Sequence, residues 1–123
     1  MPTNGRDRTM HEQSRKNLRE QYKERTVVGG VFAIKNSANG RLYIDSTANL
    51  GGAQNRFEFM RHAGISFHFR LQEDWTRYGV DAFYFVILDE LVKKTDQSDA
   101  EFMTDLNGLK GLRLQDYTDD LLY

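Results

Sequence analysis

A β-branched and aromatic run, Val27 to Ile34, breaks at Asn36-Ser37-Ala38-Asn39-Gly40 and resumes as Arg41-Leu42-Tyr43-Ile44-Asp45. Such side chains suit the pleated surface of a strand. An Asn-Gly pair between two such runs is a strong local signal for a tight antiparallel hairpin. Pattern and turn chemistry agree, so the fold must be built around this hairpin. A further run, Ala82-Phe83-Tyr84-Phe85-Val86-Ile87-Leu88, predicts a third strand. It is apolar nearly throughout, which places it at the centre of the sheet.

The intervening residues read as helices. Asn49-Leu50-Gly51-Gly52 is a break, after which Ala53, Phe57 and Met60 form one stripe of a helix over Ala53 to His62 that stops before Gly64. Ser66 to Tyr78 predicts a second helix, with Ser66 as N-cap, Leu71, Trp75 and Tyr78 on its core face and Gly79 as its stop. Ser98-Asp99-Ala100-Glu101 has capping-box form, so a third begins near residue 99. Phe102, Leu106 and Leu109 continue its apolar stripe, and Gly108 and Gly111 weaken its end. Met10 to Arg25 is helix-friendly with a thin apolar stripe, Leu18 and Tyr22. Residues 1–9 read as a flexible end, 10–26 as a leading basic helix, 27–111 as the domain, and 112–123 as an acidic C-terminal extension that packs on it or trails it. The fold class is α+β: a small three-stranded antiparallel sheet flanked by helices.

Size and charge narrow the function classes. The 123 residues suit one domain, and the absence of Cys excludes disulfide frameworks, Cys-zinc sites and Cys nucleophiles. No stretch approaches the roughly 20 apolar residues of a membrane span, and the N-terminal residues lack the apolar segment of a secretory signal. The expected compartment is the cytoplasm. The net charge of −1 argues against a strongly basic nucleic-acid binder, but the balance is uneven. Residues 1–25 carry net +3, residues 26–88 net +1 and residues 89–123 net −5. A local phosphate-binding surface is compatible with that distribution.

The strands and helices also carry an ordered set of motifs. In sequence they are Gly30-Val31-Phe32, the Asn36–Gly40 turn, Leu42-Tyr43-Ile44-Asp45-Ser46-Thr47, Asn49-Leu50 and Arg56. Leu71-Gln72-Glu73-Asp74-Trp75, Tyr78-Gly79 and Phe83 through Leu88-Asp89-Glu90-Leu91 follow. Over roughly residues 28–92 the chain resembles the GIY-YIG nuclease family, in particular its small stand-alone bacterial members. That resemblance implies metal-assisted hydrolysis of DNA phosphodiesters, with Mg²⁺ or Mn²⁺ as cofactor. It implies that Tyr43 positions or activates water and that Arg56 contacts the phosphate. An Arg fork matches phosphate oxygens and keeps its charge. A hard divalent cation wants carboxylate oxygen.

Other positions depart from the family pattern. Phe32 stands where the first motif has Tyr, and Asp45 where the second has Gly. The metal-binding Glu belongs on the helix over residues 101–112, where the alignment puts Lys110. Glu101 and Asp105 are the carboxylates nearest that position in sequence. Lys35, Arg41, Arg56 and Arg61 are candidate nucleic-acid contacts. His62 and His68 lack a metal-spaced partner and read as surface or packing residues. Two readings stay open. One is a metal-dependent DNA endonuclease; the other is a catalytically inactive nucleic-acid-binding or protein-interaction module on the same fold.

Overall fold

The computed structural model describes residues 26–123. The leading basic helix expected over residues 10–26 therefore falls almost wholly outside the described residues. Strand β1 spans Val28–Asn36 and β2 Leu42–Thr47. Helix α1 spans Leu50–Ala63, α2 Gln72–Tyr78, β3 Phe83–Val92 and α3 Asp99–Leu114. Short 3-10 turns occupy Phe69–Leu71, Val80–Ala82 and Asp119–Leu121. The three strands form one antiparallel sheet in the order β2-β1-β3, so the α+β class read from the sequence is the class observed. Among the described residues no helix is long and apolar enough to cross a membrane.

The β1–β2 hairpin forms as the turn chemistry predicts. Its loop is longer than a two-residue turn, because Asn36 N–H donates to the Arg41 carbonyl. Gly40 adopts φ +76°, a conformation that L side chains resist. The Asn39 side chain accepts from Arg41 N–H and secures the turn.

The third strand lies at the edge of the sheet, not its centre. β1 is central and almost wholly buried. The apolar run of β3 has a different cause: both faces of the sheet are covered. Phe83 and Phe85 join a core with Phe32, Ile34, Phe57, Leu71 and Trp75 on one face. Val86 and Leu88 join Val31, Ala33, Leu42 and Ile44 on the other, packed with Leu109 and Leu114 of α3. A strand covered on both faces reads as continuously apolar whether or not both its edges are paired.

Two helices begin differently from the sequence expectation. α1 starts at Leu50, earlier than Ala53, because Asn49 caps it by accepting from Gly52 N–H at 2.9 Å. The expected break is its first turn. The Ser66–Tyr78 helix is replaced by an irregular segment, one 3-10 turn and the short α2. Ser66 caps nothing; its hydroxyl donates to the His68 carbonyl. Phe67 instead turns inward, edge-on to Phe32 and packed against Phe57. Burying that ring keeps the chain out of a helix until Phe69. Trp75 is core, stacked on Phe83 at 4.7 Å. Tyr78, expected beside it, is 40% exposed.

α3 opens with the complete Ser98/Glu101 capping box and continues through Gly108 and Gly111 to Leu114. Phe102 and Leu106 are fully buried. After it the chain returns to the hairpin. Leu122 forms a parallel bridge with Leu42, and Tyr123 N–H donates to the Leu42 carbonyl at 2.9 Å.

Candidate functional site

Strand β2 is the second edge of the sheet, and its outer flank borders a cleft of about 570 Å³. Tyr43 and Asp45 come from β2, His68, Phe69 and Arg70 from the turn before α2, Lys110 from α3, and Asp119 and Tyr123 from the last residues. Four separate segments thus meet at one place.

Asp45 is the hub. Its Oδ2 accepts from the Tyr43 hydroxyl at 3.0 Å, and its Oδ1 accepts from Lys110 Nζ at 3.1 Å and Ser46 N–H at 2.8 Å. Burial pushes this carboxyl up, but the Ser46, Lys110 and Tyr43 hydrogen bonds outweigh it and hold it below the usual carboxylate range. Asp45 is therefore ionised at neutral pH. Tyr43 responds in the opposite direction. Burial, then the negative charge and hydrogen bond of Asp45, push its phenol up to about 12, against the opposing charges of Arg70 and Arg56. Tyr43 stays protonated and offers a hydrogen bond, not a base.

Aromatic rings line the way out of the cleft. His68 stacks on Tyr43 at 4.5 Å and 23°, and Phe69 lies against His68 at 4.4 Å. His68 Nδ1 accepts from Arg70 N–H, so in the neutral ring Nε2 carries the proton. The Phe69 ring is 77% exposed at the mouth, with the Arg70 guanidinium 5.9 Å from its centre.

The sequence candidates divide accordingly. Tyr43, Asp45 and Lys110 converge. Arg56 lies behind them, its guanidinium 4.2 Å over the Phe67 ring and close enough to act on Tyr43 electrostatically. Arg41 is committed to the C-terminal residues: it donates to the Leu122 carbonyl and covers the Tyr123 ring at 4.3 Å. Arg61 faces Glu58 and Asp81 on the far end of α1. Lys35 sits on the central strand between Leu42 and Tyr84. Phe32 is a core residue, stacked on Phe85 at 4.9 Å. Glu101 closes the α3 capping box, and Asp105 accepts from the Gln97 amide at 2.6 Å. Neither of these carboxylates borders the cleft.

Arg70 and Asn107 escaped the sequence reading, and His68, read there as a surface or packing residue, packs on Tyr43 at the cleft. His68 and Arg70 flank an aromatic, and that alternation of basic and aromatic side chains was the available signal. Asn107 lies one turn before Lys110 and accepts from the Ser46 hydroxyl at 2.8 Å, so both side chains of α3 reach β2.

A divalent ion is the cofactor that the sequence resemblance implies. The residues present do not fit one. The Asp45 carboxylate is already engaged at both oxygens, and one of its partners is the Lys110 ammonium, whose charge opposes a cation there. Among the described residues no three His, Asp or Glu side chains cluster.

No family model matches the sequence, and no curated protein matches it. Among solved structures, the chain is similar to the catalytic domain of the homing endonuclease I-TevI. That match has 22% identity and a TM-score of 0.46, over 69% of this chain and 88% of that one. A Glu-to-Ala mutant of the same domain, described as an intron endonuclease, matches at 22% identity, 65% and 84% coverage and a TM-score of 0.44.

Proposed function

We propose that this chain is a nucleic-acid-binding module of GIY-YIG type whose β2 cleft receives the phosphodiester backbone of DNA. The observation that carries this reading is the convergence of Lys110 and Arg70 on one cleft, with Arg56 behind it. Ammonium and guanidinium donors are the groups that grip phosphate oxygens. The exposed Phe69 ring beside Arg70 supplies a surface on which a base can stack, which favours single-stranded or locally opened DNA.

The test is fluorescence anisotropy on labelled single-stranded and duplex oligonucleotides, run with a plasmid-nicking assay in Mg²⁺ and in Mn²⁺. Binding that weakens steeply with salt, without nicking, is the expected result. Arg70→Ala lowers affinity several-fold and reduces the salt slope by about one. Phe69→Ala weakens single-stranded binding by about 1–2 kcal/mol and duplex binding by less. An equal loss on both substrates would remove the stacking role.

A second reading, hydrolysis, is favoured by the oriented Tyr43–Asp45 pair. Nicking abolished by both Tyr43→Phe and Asp45→Asn, in folded protein, would establish it and displace the binding-only reading.

A further inference from the structure

We infer that the Lys110 ammonium is a built-in counter-cation of the β2 cleft, so that phosphate binds there without a divalent metal and this one side chain keeps metal out. The inference rests on the phosphodiester reading of the cleft and deepens it.

Packing places the ammonium. Leu106 is fully buried, and Leu109 packs on the sheet with Val31, Leu42 and Ile44. These contacts set the rotation of α3 and bring Asn107 and Lys110, three residues apart and so on neighbouring turns, toward β2. Asn107 meets Ser46 and Lys110 meets Asp45. The Lys110 and Asp45 side chains are each about one-third exposed, so the pair sits at the cleft wall, reachable by a ligand. An ammonium has three donors and no acceptor. One is on Asp45, which leaves two for phosphate oxygens. Lys serves phosphate as a compact point charge, the same electrostatic service that a bound cation supplies.

The same geometry opposes a metal. A divalent ion on Asp45 would lie within a few ångströms of a fixed positive charge, and it would have to displace a hydrogen bond already made. Asp119 is the other carboxylate that borders the cleft among the described residues, and Glu101 and Asp105 are held by their own hydrogen bonds earlier in α3. The departures at positions 45 and 110 are thus one feature: a negative and a positive side chain that match each other across 65 residues of chain.

The test compares the full chain with Lys110→Glu, Lys110→Met and Lys110→Arg. Mn²⁺ binding is read by electron paramagnetic resonance without nucleic acid, and affinity for a 12-nucleotide single-stranded oligonucleotide is read in EDTA and in Mg²⁺. Circular dichroism melts confirm that each variant is folded. The parent chain is expected to bind no Mn²⁺ stoichiometrically and to hold the oligonucleotide equally, within twofold, in EDTA and Mg²⁺. Lys110→Met loses about tenfold in affinity and Lys110→Arg retains most of it. Lys110→Glu, which sets two carboxylates face to face, gains Mn²⁺ binding. A parent chain that binds one Mn²⁺, or that gains tenfold or more in oligonucleotide affinity from Mg²⁺, overturns the inference. So does a folded Lys110→Glu chain that takes up no Mn²⁺. Failure of every chain to bind oligonucleotide in any buffer overturns the phosphodiester reading instead, and the Mn²⁺ comparison still decides whether Lys110 excludes metal.

Discussion

Gly30→Ala is expected to destabilise the folded chain by about 3 kcal/mol or more. A β-carbon at position 30 would lie 1.9 Å from the Asp89 carbonyl oxygen and 2.9 Å from Leu50 Cδ1. The first contact is with backbone, which cannot rotate away. Gly30 pairs with Thr47 on one side and Glu90 on the other, just before the irregularity at Val31/Phe32. Moving Asp89 would open the β1–β3 ladder and disturb the Arg113 guanidinium that clasps its carboxylate. Overpacking a core typically costs about 1–3 kcal/mol, and more where backbone must yield. Gly108→Ala is the matched control, because its β-carbon meets nothing within 4 Å in the middle of α3. That change should stabilise by about 0.5–1 kcal/mol. Urea denaturation of both variants checks the pair. A Gly30→Ala chain as stable as its parent would mean that β1 and β3 have room for a side chain at position 30.

Asp74→Ala carries the second large effect, about 2–4 kcal/mol, because it removes the anchor of a buried polar network. Asp74 accepts from the Tyr123 hydroxyl at 2.7 Å and from the Asn39 amide at 3.1 Å. The fully buried Asn36 amide donates to the same Tyr123 oxygen at 3.0 Å. The network ties the hairpin turn, α2 and Tyr123 together, and with Arg41 it holds the Tyr123 ring that borders the cleft. Tyr123→Phe should cost about 1–2 kcal/mol, since it leaves the carboxylate one partner.

The pH dependence follows from the same bonds. The Tyr123 hydroxyl, outweighing burial, and then the Asn39 amide hold the Asp74 carboxyl below the usual carboxylate range. A carboxyl whose folded value is lowered binds its proton less readily in the folded chain than in the unfolded one. Its stabilisation is therefore present at neutral pH and is lost as pH falls below about 5 toward the folded value. Asp74→Asn should flatten the acid limb of stability between pH 5 and pH 3. It should not abolish it, because Asp45 and Asp89 are also held low. An unchanged acid limb in Asp74→Asn would remove Asp74 from the acid response.

Local signals in the sequence served well where the physics is local. The Asn39-Gly40 turn lies within one hairpin, and the Ser98/Glu101 box closes over three residues, so composition alone carries both. The Ser66 cap failed because a competing demand is not local: Phe67 is drawn between Phe32 and Phe57, from distant parts of the chain. The packing partner of His68 was not legible, because its stacking on Tyr43 depends on residues 43 and 68 meeting in the fold.

The sequence by itself determined the α+β class, the antiparallel hairpin and the start of α3. These follow from side-chain periodicity, turn chemistry and capping, all of which act over a few residues. Tertiary structure alone decided that β3 is an edge strand, that Tyr123, held by Asp74, borders the cleft, and that Asp45 and Lys110 answer each other. The reason is that alternation along a strand reports how many faces are covered, not which edges are paired. Likewise, the partner of a charge on α3 depends on which of its faces the Leu106 and Leu109 packing turns toward β2.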